Sequence, residues 1–268
     1  MRPHQPRLIS TRHRQELWKR LDMVLIPTSS SSRGSRRPRL TVALVGADGA
    51  GKSTVSASLT TAALPAPVKT IYMGVNLEAS SLMLPTTRLL LAAKRARGGR
   101  PDLVASRLST SPAVDESSPT TDWRRSARDS ARLSVWMGEE WLRQLVATAY
   151  SARGYIVIFD RHFFADYYHA DIAANGRRRG LVARLHGWML EHVYPKPGLV
   201  ICLDAPSDVL YARKPEASPE WLEQRRQQYL ALRDVVPAFV AIDATRPLDA
   251  VCAEVAECIR TQWKALSA

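Results

Sequence analysis

Five short apolar runs, spaced by stretches of helical periodicity, predict a three-layer α/β/α protein built on a five-stranded parallel sheet. The runs are 40–45 (LTVALV), 68–72 (VKTIY), 155–159 (YIVIF), 198–203 (GLVICL) and 238–242 (AFVAI). Each is rich in Val, Ile or aromatics without polar alternation, as strands buried on both faces are. Between them lie helical patterns at 52–63, 126–151, 180–192, 206–213, 219–233 and 247–264. Strand–helix alternation of this kind gives a parallel sheet with helices on both faces.

Composition bounds the rest. The chain has 268 residues, 46% hydrophobic and 24% charged, enough for a sizeable core without staples. Its three cysteines lack metal-type spacing and read as reduced thiols of a cytoplasmic protein. No apolar run is long enough to span a bilayer. Of the net charge of +13, +8 lies in residues 1–39, where ten Lys and Arg face only Glu16 and Asp22. Residues 1–39 therefore read as a basic extension and linker, solvated or packed on the domain, with contact to an anionic membrane or a partner as the alternative. Residues 40–268 read as one domain with an insertion at about 75–125, Ser/Thr/Pro-rich apart from a helical piece at 84–96. The basic runs at 94–100 and 177–179 have no interleaved aromatics, so no nucleic-acid partner is expected.

The first strand leads into "GADGAGKS", which fits the phosphate-binding pattern at Gly46, Gly51, Lys52 and Ser53. Glycines let the backbone curl so that its N–H groups point at phosphate oxygens, and the following helix adds its positive end. Lys52 would reach the β/γ-phosphates of ATP, and the Ser53 hydroxyl would reach Mg²⁺. Strand–loop–helix context makes this a P-loop NTP hydrolase fold. A dinucleotide site is excluded, since Asp48 stands where a second glycine would be needed. A GTPase switch would need a D-x-x-G downstream of this loop and an N-K-x-D, and neither occurs. The third strand ends in Asp160-Arg161, at the edge where ligands of parallel sheets bind. An Asp there can hold Mg²⁺ through water or take an acceptor proton; an Arg can bind phosphate with a bidentate fork.

"GADGAGKST", "FDRHFF", "LDAPSDVLYARK" and "AIDATRPLDAVCAEV" occur here in the order in which similar segments occur in thymidylate kinases. The chain resembles that family over roughly 40–74 and 126–264. The resemblance implies that Gly46, Asp48, Gly49, Ala50, Gly51, Lys52, Ser53 and Thr54 bind ATP phosphates and Mg²⁺, with Asp48 also facing the acceptor. It implies that Asp160 and Arg161 work near the transferring phosphate, with Ser53 and Asp160 on the metal. Leu203, Asp204 and Pro206 would begin the segment leading to a lid. Arg213, Lys214, Arg225 and Arg226 would be lid cations, with Arg213 catalytic. Ala244, Thr245 and Arg246 would lie at the adenine. A homodimer through the 126–151 helix is a further implication.

The chain departs from that pattern in three places. An Arg-Glu-Pro-Gly-like loop is replaced by "IYMGVNLE" (71–78). The position of a phosphate-gripping Arg falls near Glu139 and Glu140 in "WMGEEW", where an acid would repel a monophosphate. The insertion falls where acceptor-binding segments lie. Arg124, Arg125, Arg128 and Arg132 are the alternative grip. The expected activity is thus ATP- and Mg²⁺-dependent phosphoryl transfer to a small molecule, a nucleoside monophosphate such as dTMP first. The alternatives are a kinase of the same fold acting on a nucleoside, sugar or other alcohol, and a nucleotide-gated binding module without catalysis.

Overall fold

The structure, a computed structural model, describes residues 38–74, 82–96, 119–167 and 181–268. In chain order the elements are β1 (Thr41–Val45), α1 (Lys52–Leu59), β2 (Val68–Tyr72), α2 (Pro85–Ala96), α3 (Pro119–Ala152), β3 (Ile156–Asp160) and α4 (Phe163–Tyr167). There follow α5 (Leu181–His192), β4 (Leu199–Asp204), α6 (Ser207–Arg213), α7 (Pro219–Leu230), a 3₁₀ turn (Ala231–Asp234), β5 (Phe239–Asp243) and α8 (Leu248–Ser267).

All five strands pair in parallel, in the order β2-β3-β1-β4-β5. β1 is central, with Leu44 opposite Asp160 of β3 on one side and Ile201 of β4 on the other. Two separate cores explain the unbroken apolar runs. Val42, Leu44, Ile156, Ile158, Ile201 and Leu203 face one core with α1, α6 and α8. Their neighbours Ala43, Val45, Val157, Phe159, Val200 and Cys202 face the other, with α3, α4 and α5. Successive strand residues point to opposite faces, so every position of the central strands must be apolar. Each such side chain contributes about 1.5–3 kcal/mol by its burial.

The five expected strands coincide with the observed ones to within a residue at each end. Four helix boundaries differ by three residues or more, among them α8, which ends at Ser267 rather than 264. α3 begins at Pro119 rather than 126 and runs for 34 residues. α1 stops at Leu59, and 219–233 divides into α7 and the 3₁₀ turn. α4, five residues long, is too short to register as a periodic pattern. Residues 1–37, most of the insertion and the 177–179 run lie outside the described residues. So do the side chains of Arg124, Arg125, Arg128 and Arg132. No helix among the described residues is long and apolar enough to cross a membrane.

Candidate active site

β1 hands the chain to α1 through residues 46–51, and the turn is made by glycine. Gly46, Gly49 and Gly51 hold φ of 143°, 88° and 86°. A side chain at Gly49 would also meet the Leu210 carbonyl oxygen at 2.6 Å, so only a residue without Cβ fits there. α1 then starts at Lys52 with its free N–H groups facing the loop.

Lys52 is buried and lies across the loop, donating from Nζ to the Gly46 and Ala47 carbonyls at 2.8 Å each. Burial pushes its ammonium down to about 8; the Arg161 charge pushes the same way, and Asp48, Asp166 and Asp160 oppose it. This is a cation held in a dry site and poorly compensated there, which a polyphosphate would stabilise.

Parallel pairing sets Asp160 beside Leu44, and so beside the loop. Ser53 Oγ donates to Asp160 Oδ2 at 2.9 Å, while Asp160 Oδ1 is buried without a hydrogen-bond partner. A hydroxyl next to a carboxylate with unclaimed lone pairs is a hard-oxygen donor set. It suits Mg²⁺, which takes one or two protein ligands and keeps water and phosphate for the rest.

Arg161 follows with φ of 69°, the one non-glycine residue with positive φ among those described. Strain of this kind, about 1–3 kcal/mol, clusters at working sites. It turns the guanidinium back toward the loop, where Nη2 donates to Asp48 Oδ1 at 2.5 Å. Burial by itself would raise Asp48; Arg161 and Lys52 overcome it and hold the carboxyl below its ordinary value. Burial by itself would lower Arg161; Asp48, Asp166, Tyr229 and Tyr72 together overcome it and raise the guanidinium above its ordinary value.

His162, buried, then caps α4: its Nδ1 accepts from the Phe164 N–H at 3.3 Å. Burial pushes its imidazole down to about 3, so it is neutral with the proton on Nε2.

α4 brings in Asp166, 2% exposed, whose Oδ1 accepts from Tyr229 at 2.8 Å and from Arg225 Nη2 at 3.3 Å. Arg225 therefore enters the site from α7. Its neighbour Arg226 turns the other way and forks onto Asp204 at 2.6 and 2.9 Å. That Asp204 pair raises Arg226 above its ordinary value. Beyond it lies a cavity of 420 Å³ lined by Asp204, Pro206, Arg226, Ala241, Ile242, Asp243 and Thr245. Thr245 is fixed there by Asp243 Oδ1, which accepts from its N–H and its hydroxyl.

Of the residues the sequence singles out, Asp48, Lys52, Ser53, Asp160 and Arg161 come together. Thr54 sits exposed on the first turn of α1, and Arg213 ends α6 with its side chain exposed. Lys214 pairs with Glu216 at 2.9 Å. Glu139 and Glu140 are both buried on α3. Glu140 meets His186 of α5, Oε2 to Nε2, at 3.0 Å, and burial raises its carboxyl despite that partner. Sequence reasoning missed His162, Asp166, Tyr229 and Arg143. His162 and Asp166 flank a strand end already marked by Asp160-Arg161, which was the available signal.

No protein-family model matches the chain. Against a probable thymidylate kinase of Archaeoglobus fulgidus it is 32% identical over 115 residues, 40% of this chain and 55% of that one. The chain thus spans just over half the length of that relative. Among solved structures, a deoxyadenosine kinase from M. mycoides with bound dATP covers 82% of this chain and 98% of its own, at 14% identity and a TM-score of 0.44. The same enzyme with bound dCTP gives 83% and 100%, at 15% identity and 0.43. The loop, the strand order and the Asp160-Arg161 strand end make this a P-loop kinase-like α/β fold, in a chain whose sequence is similar to part of a thymidylate kinase.

Proposed function

We propose that the protein transfers the γ-phosphoryl group of ATP to a small-molecule acceptor, with thymidine monophosphate the first acceptor to test. The observation that carries this reading is the convergence of Lys52, the Ser53–Asp160 pair and the Asp48–Arg161 pair on one loop at the central strand. The loop N–H groups and Lys52 hold the β- and γ-phosphates. Ser53 and Asp160 would hold Mg²⁺, whose charge would offset that of the phosphates. The cavity bounded by Arg226 and Thr245 is of a size for the adenine and its sugar.

An acceptor oxygen attacks the γ-phosphorus, the bond to the β–γ bridging oxygen breaks, and ADP leaves. Arg161 and Arg225, each already oriented by a carboxylate, would stabilise the charge that spreads over the equatorial oxygens. A monophosphate acceptor arrives ionised. A hydroxyl acceptor must give its proton to a carboxylate of the site. The setting for such a reaction is the cytoplasm, where ATP is supplied.

A second reading, an uncharged hydroxyl acceptor, is favoured by one observation: α3 carries two buried acids, Glu139 and Glu140, and a dianion bound beside them would be repelled. The test is ADP release from Mg²⁺-ATP in the presence of thymidine monophosphate, thymidine or polyols. Lys52→Ala and Asp160→Asn are expected to lower kcat at least about 100-fold with the fold intact. Full turnover by Asp160→Asn, or no ATP binding by the wild type, would overturn the proposal.

A further inference from the structure

Two arginines reach the site from different elements and repel each other. Arg161 comes from the end of β3 and Arg225 from α7, and the charge of Arg161 works against the protonated form of Arg225. Asp166 of α4 holds Arg225 against that repulsion. Its Oδ1 accepts from Arg225 Nη2 at 3.3 Å, and its backbone carbonyl accepts from Nη1 and Nη2 at 3.4 Å each. Tyr229, one turn further along α7, closes the group. Its hydroxyl donates to Asp166 Oδ1 at 2.8 Å and accepts from Arg225 Nη2 at 3.3 Å. Its ring centroid lies 4.8 Å from the guanidinium carbon.

The group is dry: Asp166 and Tyr229 are 2% and 3% exposed. A carboxylate in such a place is costly to keep, and an apolar contact would fasten α4 to α7 at less cost. A carboxylate is needed where cations must be gathered before an anion arrives. The charge of Asp166 favours the protonated forms of Arg161 and Lys52 as well as that of Arg225. The next residue of α7, Arg226, is tied separately to Asp204 at the end of β4. Asp166 lies just past β3, and β3 and β4 are the two neighbours of β1. α7 is thereby fastened on both sides of the strand that leads into the phosphate loop, which fixes the direction from which Arg225 approaches.

Resting on the phosphoryl-transfer reading, we infer that Asp166, braced by Tyr229, is a positioning residue that gathers Arg225 beside Arg161 before the nucleotide arrives, so that the two arginines stabilise the group in transfer and not the bound ground state. The carboxylate touches no substrate; it acts through Arg225. Charges held in place beforehand need no rearrangement while the phosphoryl group moves. A carboxylate that served only to anchor α7 would affect folding and leave both ligand states equally well bound.

The test uses the full chain and needs no acceptor. Calorimetry measures affinity for Mg²⁺-ADP with and without aluminium fluoride, which mimics the phosphoryl group midway through transfer. In the wild type the fluoride is expected to tighten Mg²⁺-ADP at least about 100-fold. Asp166→Asn, of the same shape without the charge, should lose at least about tenfold of that gain, with affinity for Mg²⁺-ADP alone unchanged. Tyr229→Phe, which keeps the carboxylate and the ring, should lose about fivefold of it, the worth of one hydrogen bond. Asp166→Asn added to Arg225→Met should cost little beyond Arg225→Met alone, because residues that act as one unit are not additive. A full gain in Asp166→Asn, a loss falling equally on Mg²⁺-ADP alone, or complete additivity with Arg225→Met would each overturn the inference. So would an unaltered gain in Tyr229→Phe, which decides the question where Asp166→Asn does not fold. A wild type without the gain would defeat it while the phosphotransferase reading still stood on turnover; absence of Mg²⁺-ATP binding would defeat both.

Discussion

Lys52 is the residue with the most to gain from a bound polyanion. Its ammonium sits near 8 against an ordinary 10.5, because burial strips it of water. A triphosphate on the loop would favour the charged form and draw that value back up. ATP binding above pH 8 should therefore take up protons, and affinity should weaken as pH rises through this range. Calorimetry in buffers of differing ionisation enthalpy measures the uptake directly. Stability moves the opposite way. The unfolded chain binds more protons at this lysine between about 8 and 10.5, so the group's contribution to stability rises with pH across that window. Arg225 is tested at the same scale. Its guanidinium is held by Asp166 of α4 and by Gln228 and Tyr229 of its own helix. Arg225→Met should lower kcat about 100-fold while the KM for ATP changes little, as expected for a charge that acts on the transition state; a larger effect on KM than on kcat would contradict this.

At the scale of elements, the Glu140–His186 contact joins α3 to α5 in a place without water, both side chains being 2% exposed. Removing one member strands the other, so His186→Ala should cost about 3 kcal/mol in chemical denaturation. Elements were largely legible in the sequence, and residues at their junctions were not. Strands buried on both faces write themselves as unbroken apolar runs, so all five could be read. The loop could be read because glycine, lysine and serine occupy fixed spacings dictated by phosphate geometry. α4 could not, because five residues make little more than one turn. Asp166 was hidden with it, since its role depends on Tyr229 and Arg225 some sixty residues away. Arg143 escaped notice for a related reason. An arginine three residues past two glutamates on a long amphipathic helix looks like a surface ion pair, and only the fold shows that it faces inward.

Taken as a whole, the molecule should be measurably stabilised by its nucleotide. Mg²⁺-ATP at a hundred times its Kd would add about 2.7 kcal/mol to the unfolding free energy, and chelating the metal should remove much of that gain. Thermal unfolding with and without EDTA reads both effects.

The central place of β1 has a consequence for how such a chain can diversify. Asp204, Arg226 and Thr245, which line the cavity proposed for the cosubstrate's base, lie on the β4–β5 wing. Gly74, Arg161 and the buried α3 residues Glu139 and Arg143 lie with the β2–β3 wing. The two wings meet along β1 and again where Arg225 and Tyr229 of α7 reach Asp166 of α4. Mutations that retrain the molecule to a new recipient can therefore accumulate mostly on one flank, and hybrids joined between α5 and β4 would exchange one specificity at a time.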